Sequence, residues 1–598
     1  MSHKLLALAG ASCLLLTGCI DDNYDLSDID TTSEVKVDNL TLPINIDKMK
    51  LDNVFSLEDN SNIKIVDVNG ERFYALTQTG EFKSQPIEIQ SIHIAKPGIT
   101  PTHTDLVLPW NSQSKRRRAQ GDIPDIENIP ILSSNTPFKY AASGLDPAIY
   151  GMNAIYTTNT TLTISATIQG ADIKFVELKD LYFQLPTGLE VTDLPRNASY
   201  NHVNGVLYMP SLKSANGHDV SLSLTIDKMD LTSVNPKLTF DKDKGSMDID
   251  GTLGLKEGSL LLNTKEILQN GIQLPQSLSI DIKYDLSAID VIGLSGNIDY
   301  TLEGIDIAPV SIGDLPDFLK GEGTNIKVAN PQLYLSLNNP IGDQKLYYET
   351  GFKLTALRDN GMAPQVFEPD NNAKIRVLYN KGVTGPYNFL LAPNPKSAQV
   401  PEGFANPTPV GFSSLSNILS VPEADAAQAT LPERIKIEVV KPGIPDQHTD
   451  YFPLGRQLTP VEGKYELIAP FGFKEGTVVI YEDTEDGWSD DDLKHLTVTE
   501  MTITATVDND APVSAQLESY AINTTGAKIG DLASNVIEAS KKDQLLTITL
   551  KGEIKDLDGI HIRAIMRSGD DQKPLAPDQT LTFKNVRVTV SGNYTKDF

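Results

Sequence analysis

Along much of the chain, apolar residues fall on every second position. Leu162, Ile164, Ala166 and Ile168 alternate with Thr and Ser, and so do Val220, Leu222, Leu224 and Ile226. Leu333, Leu335 and Leu337, Ile435, Ile437 and Val439, and Leu546, Ile548 and Leu550 repeat the pattern. A period of two puts the apolar set on one face of a strand, and the β-branched or small polar residues between them suit a solvated face. The chain therefore reads as all-β. Its 42 Gly and 36 Pro punctuate the runs, and Val68-Asn69-Gly70 between two strand-like stretches is a type I′ hairpin signature. The architecture expected is several antiparallel β-sandwich-like domains with short connecting helices. Two such helices are expected. Asp531 to Lys541 offers a capping Asp531 with Leu532 and Val536 four apart, and Thr264 to Gln269 is closed by Asn270-Gly271.

The chain also echoes itself. Ile94-Ala95-Lys96-Pro97-Gly98-Ile99 with His103-Thr104-Asp105 returns, at a constant offset, as Val439-Val440-Lys441-Pro442-Gly443-Ile444 with His448-Thr449-Asp450. Thr161 to Ile168 resembles Glu500 to Val507, and Ser295-Gly296-Asn297 resembles Ser591-Gly592-Asn593. Duplication of a β-unit is the simplest account. It divides the chain into a leader (1–18), an acidic tether (19–34), copy one (35–240), a middle β-region or tail of copy one (241–400) and copy two (401–598). The Pro-rich run from Ala392 to Pro409 is expected to be a linker or long loop.

Composition narrows the partners. With 51 Lys+Arg against 79 Asp+Glu, the formal charge is −28. That charge repels phosphate backbones and anionic headgroups, so nucleic acid is excluded as an expected partner. No stretch beyond the leader approaches the roughly 20 apolar residues of a spanning helix. Alternating strands would also suit a transmembrane β-barrel; the N-terminus decides for the sandwich.

Lys4 precedes an apolar run from Leu5 to Leu16, then Thr17-Gly18-Cys19-Ile20-Asp21-Asp22. This has the size and polarity of a secretory leader. Only Cys13 and Cys19 occur in the chain, and Cys13 would leave with the leader, so Cys19 would stand alone in a compartment that oxidises thiols. Leu16-Thr17-Gly18-Cys19 resembles the lipobox of bacterial lipoproteins, and the acidic residues behind Cys19 resemble the export signal of Bacteroidetes surface lipoproteins. The resemblance covers residues 1–30. It implies acylation of Cys19 as the mature first residue, membrane attachment through the lipid, and display on the outer face of the outer membrane. Integral barrels are not usually lipidated.

Candidate chemistry is sparse. His103 with Asp105, and His448 with Asp450, place an imidazole and a carboxylate on one side of an extended segment, as a metal site or acid–base pair would. Neither copy has a third ligand nearby, and a structural hydrogen bond is the preferred reading. The acidic stretch 482–492 departs from a calcium loop at Glu482 and Leu493 and reads as a solvated loop. Lys115-Arg116-Arg117-Arg118 is the one basic cluster and reads as a loop tip. Trp110 and Trp488 are the only tryptophans; an exposed indole stacks on sugar rings, so these two are the candidate ligand contacts. Nucleotide-binding loops, HExxH and GxSxG are absent from the sequence. No catalytic residue, cofactor or metal is expected. The expected function is a non-enzymatic binding or accessory component at the outer membrane, with capture of a glycan or other nutrient as its use. The alternatives are an adhesin or structural subunit of an outer-membrane complex, and, less favoured, a polysaccharide hydrolase.

Overall fold

The computed structural model describes residues 32–597 apart from 44–48, 51–61, 69, 111–123, 170–172, 313–318, 320, 380–384, 399, 488–495 and 570–572. Within these residues the chain is almost wholly β, in antiparallel sheets that pack as sandwiches.

The central sheet is twelve-stranded. Its main path runs Leu189–Thr192, Asp219–Asp230, Ile149–Gln169, Ile289–Thr301, Arg434–Pro453, Tyr348–Leu357 and Gln365–Phe367. The alternation read from the sequence sets the register: Leu222 lies opposite Ile164 and Leu224 opposite Leu162, and all four are buried. A one-residue slip would turn that apolar set to water. At the middle of the sheet, Ile155, Leu294 and Phe452 form a row across three strands, each 0% exposed.

A seven-stranded flanking sheet covers this apolar face. Its spine, Ser246–Leu262, pairs with Ser134–Ser143 and Lys237–Asp241 along its first half, and with Phe175–Gln184 and Glu127–Pro130 along its second. Phe138, Ile249, Leu253 and Leu260 of this sheet share one continuous core with Ile164, Leu222 and Ile280 of the central sheet. The Tyr140 hydroxyl donates across the sandwich to the Ser287 carbonyl at 2.8 Å, which satisfies the one polar atom that a buried tyrosine brings with it.

A six-stranded sheet joins the N-terminal part of the chain to its middle: Thr408–Gly411, Tyr387–Ala392, Gln332–Leu337, Glu462–Pro470, Glu71–Lys83 and Ile63–Val68. Two glycines and two aromatics lock its centre. Gly80 faces Tyr465 and Gly463 faces Phe82, and a Cβ on Gly463 would lie 2.3 Å from the Phe82 ring. Tyr387–Ala392 and Thr408–Gly411 pair in parallel. The Pro-rich run joins two hydrogen-bonded strands of one sheet, with Phe404 buried against Tyr334, and is thus the long loop rather than the linker. The hairpin at Val68-Asn69-Gly70 is present, with Val68 opposite Glu71 and Gly70 at φ +88°; Asn69 itself lies outside the described residues.

The main path of the ten-stranded C-terminal sheet runs Thr32–Pro43, Thr580–Asp597, Leu496–Asn509, Lys541–Ile554, Lys528–Ser534, Ser519–Asn523, Leu557–Ser568 and Val478–Glu485, with Met49–Lys50 and Val513–Leu517 paired off it. It has small cores of its own, around Met501, Leu550 and Val590 and around Val507 and Leu546. The expected helix over Asp531 to Lys541 is corrected here. Lys528–Ser534 is a strand with Leu532 opposite Leu550, and the Asn535 side chain then bonds the Leu545 carbonyl and the Thr547 amide. One i, i+4 apolar pair cannot outweigh a ladder on each side of the strand. The other helix forms as expected: Asn263 caps Thr264–Gln269 by accepting from the Glu266 amide at 3.1 Å, and Gly271 leaves it at φ +72°.

The internal echo has a physical counterpart. Ile289–Thr301 pairs with Ile149–Gln169 as Thr580–Asp597 pairs with Leu496–Asn509. In both pairs the glycine of Ser-Gly-Asn lies opposite a bulge in the partner strand, at Asn153 and at Thr499. A Cβ on Gly296 would meet the Gly151 carbonyl at 2.1 Å, and one on Gly592 the Thr497 carbonyl at 2.3 Å, so neither position admits a side chain. The outer neighbour of each returning strand comes from far away in sequence. Arg434–Pro453 borders Ile289–Thr301, and Thr32–Pro43 borders Thr580–Asp597. The sheets therefore take strands from both sides of residues 240 and 400.

Candidate functional site

Both His-Thr-Asp segments lie in the central sheet. Thr102–Asp105 pairs with Ser279–Leu286, and Arg434–Pro453 pairs with the next strand, Ile289–Thr301. In each, the threonine points inward, buried, while the histidine and aspartate face solvent. The partner of each imidazole comes mainly from across the strand. His103 Nδ1 lies 2.7 Å from Asp281, opposite it in register, whereas Asp105 is 3.5 Å from Nε2. The Asp281 hydrogen bond holds the His103 pKa above its ordinary value. His448 faces Asn297 at 3.4 Å, and Asp450 is taken by Lys345 at 2.9 Å, which lowers its pKa. His93 repeats the arrangement with Asp290 at 2.6 Å. These are cross-strand pairs on a solvated face. Among the described residues no three His, Cys, Asp or Glu side chains gather as metal ligands would.

Trp110 does not stand free. Its indole N–H donates to the Pro275 carbonyl at 2.7 Å, and the half-buried ring packs on the main core. Trp488, Cys19 and Lys115-Arg116-Arg117-Arg118 lie outside the described residues. Of the acidic stretch, Glu482 sits on the edge strand Val478–Glu485, 2.8 Å from Arg563, which also holds Glu518 at 2.8 Å. That carboxylate is engaged with a guanidinium.

A concave feature lies elsewhere among the described residues. A cleft of about 550 Å³ opens at the flanking sheet, lined by Pro137, Lys139, Lys237, Asp250 and Thr252, with Gly98 and the loop residues Val234 and Asn235 at its margin. Its construction is local. Pro137, Lys139, Asp250 and Thr252 take alternate positions on paired strands and share the outer face. Gly251 lets the Phe138 ring pack against the strand, since a Cβ there would lie 2.4 Å from it. The Asn235 side chain behaves like a short strand, accepting from the Thr252 amide at 3.0 Å and donating to the Thr252 carbonyl at 3.3 Å. The Asn235 carbonyl accepts from both the amide and the hydroxyl of Thr187. The loop is thus tied on both sides, yet it holds Val234 out at 92% exposure. Lys139 reaches Asp248 at 2.8 Å, which raises the lysine pKa. Further along the same face stand Tyr182 and Tyr208, half-buried, with ring centroids 4.7 Å apart. Sequence reasoning missed this site because it is assembled from four segments, none of which carries a motif.

Among the described residues no helix is long and apolar enough to cross a membrane. No family model and no curated protein matches the chain. Of solved structures, a protein described as secreted, from Parabacteroides distasonis, aligns at 12% identity over 50% of this chain and 88% of its own, with a TM-score of 0.35. A triple-jelly-roll turret protein of an archaeal virus aligns at 9% identity over 84% of this chain and 90% of its own, with a TM-score of 0.11. At these scores neither likeness bears on the fold or the site.

Proposed function

We propose that this chain is a non-enzymatic lipoprotein, anchored through Cys19 and displayed on the outer face of the outer membrane, where it serves as a binding component for glycan or nutrient capture. The observation that carries this reading is Leu16-Thr17-Gly18-Cys19 followed by Asp21 and Asp22, with Cys19 the only cysteine beyond the leader. Two or three acyl chains, at about 0.8 kcal/mol per buried methylene, hold a protein at a bilayer without a spanning helix. The first described strand starts at Thr32, 13 positions after Cys19, a reach of at most about 45 Å. Because Thr32 lies opposite Asp597, the C-terminal sheet is the part held nearest the lipid. Cys19→Ser tests the anchor: the variant should lose acylation and move from the membrane fraction to the soluble fraction. Unchanged membrane retention would contradict the reading.

A further inference from the structure

We propose that the cleft between Lys237, Asp250 and Thr252 is a binding site for a neutral glycan, an assignment that rests on the binding role proposed above and gives it a place and a ligand class. Three observations converge there. The first is charge. In a chain of net charge −28, the cleft is locally balanced, with Lys139 neutralised by Asp248 and Lys237 standing beside Asp250. An anionic polymer meets an unfavourable field over the whole molecule and gains no compensating cationic patch here. A neutral polyol meets what it needs, which is ammonium and hydroxyl donors beside carboxylate and hydroxyl acceptors.

The second observation is preorganisation. The loop at the margin is fixed by the paired bonds of Asn235 to Thr252 and of Thr187 to Asn235, so its ordering cost is met before a ligand arrives. It nevertheless presents Val234 almost fully to solvent, an apolar contact for the C–H face of a sugar ring. The third is extent. Along the sheet, Gly254 lies opposite Gln184, and Tyr182 lies opposite Glu257. By strand geometry, Tyr182 then lies on the order of 15 Å from Thr252 on the same face. That distance suits a short oligosaccharide lying along Ser246–Leu262, with its far end at an aromatic side chain.

The test is affinity electrophoresis of the detergent-solubilised full-length protein through gels containing soluble starch, galactomannan, mixed-linkage β-glucan or yeast mannan, with polygalacturonate and heparin as anionic comparisons. Retardation by at least one neutral polysaccharide is expected. Thr252→Trp, which fills the cleft from an exposed position, and Asp250→Ala should each weaken that retardation by about tenfold or more while leaving the circular dichroism spectrum unchanged. Retardation that persists in both variants would overturn the location. Retardation by the anionic polymers alone, or by none of the six, would overturn the ligand class. These outcomes are independent of where the protein sits. A protein that binds mannan but faces the periplasm would refute surface display and leave the site standing, and an anchored surface protein that binds nothing would do the reverse.

Discussion

Phe452→Ala is expected to cost about 3–5 kcal/mol of stability. Phe452 is 0% exposed and lies opposite Leu294, itself between Phe452 and Ile155 at the centre of the widest sheet. The two strands beside it, Ile289–Thr301 and Ile149–Gln169, are hydrogen-bonded on both edges at Leu294 and Ile155, so the void left by the ring cannot collapse without breaking ladders, and both the transfer and the cavity contribution are lost. The neighbouring Tyr451→Ala is the contrast. Tyr451 is 41% exposed and makes an edge-to-face contact with Tyr156 at 5.0 Å, so its loss should cost about 1 kcal/mol. Urea denaturation followed by intrinsic fluorescence separates the two. Equal, small effects would mean that Arg434–Pro453 is not inserted where the fold places it.

Deleting residues 32–43 should open the C-terminal sheet while leaving the rest intact. Thr32–Pro43 is the edge strand of that sheet, paired along almost its whole length with residues 587–597 of Thr580–Asp597, around one bulge. Its removal turns the C-terminal strand from an interior strand into an edge. Several backbone hydrogen bonds, each worth about 1 kcal/mol net, are lost together. The opening free energy of Thr580–Asp597 should fall by roughly 3 kcal/mol or more. Hydrogen exchange reads this directly: amides of 580–597 should lose protection, whereas those of Ile149–Gln169, in the separate main core, should not change. Unchanged protection at 580–597 would contradict the pairing. If the pairing holds and Cys19 is acylated as proposed, the segment next to the anchor and Thr580–Asp597 form one mechanical unit, and a pull on the anchor is transmitted first to the C-terminal sheet.

The β character of the chain was legible because its cause is local. Leu222, Leu224 and Ile226 alternate with polar residues whatever the strand's partner, and Asn263 caps Thr264–Gln269 within one turn. Partnership was not legible. The alternation in Ile435, Ile437 and Val439 does not say that the strand's edges will be Ile289–Thr301 and Tyr348–Leu357, because strand pairing is decided by packing between distant segments. The same limit explains the false helix at Asp531, where the competing ladder comes from Lys541–Ile554 and Ser519–Asn523. The repeated His-Thr-Asp was visible, and its alternation correctly put histidine and aspartate on one side. The dominant partner of His103, Asp281, comes from 178 residues away and leaves no mark near the motif. Trp110 looked available because a sequence shows an indole but not the Pro275 carbonyl that takes its N–H. The cleft at Lys237, Asp250 and Thr252 depends on a glycine that admits Phe138 and an asparagine that imitates a strand, and both are ordinary residues until the fold brings them together.

If this body is held on the cell exterior through an acylated Cys19, as proposed, reagents that do not cross the membrane reach it on intact cells. Labelling intact cells with a membrane-impermeant biotin ester, followed by peptide mapping of the purified protein, tests this most directly. The expected result is biotin on exposed lysines such as Lys237 and Lys441 before any cell is broken, together with an N-terminal peptide that begins at Cys19 and carries acyl mass. Labelling that appears only after lysis, or an N-terminal peptide with a free Cys19 thiol, would contradict it.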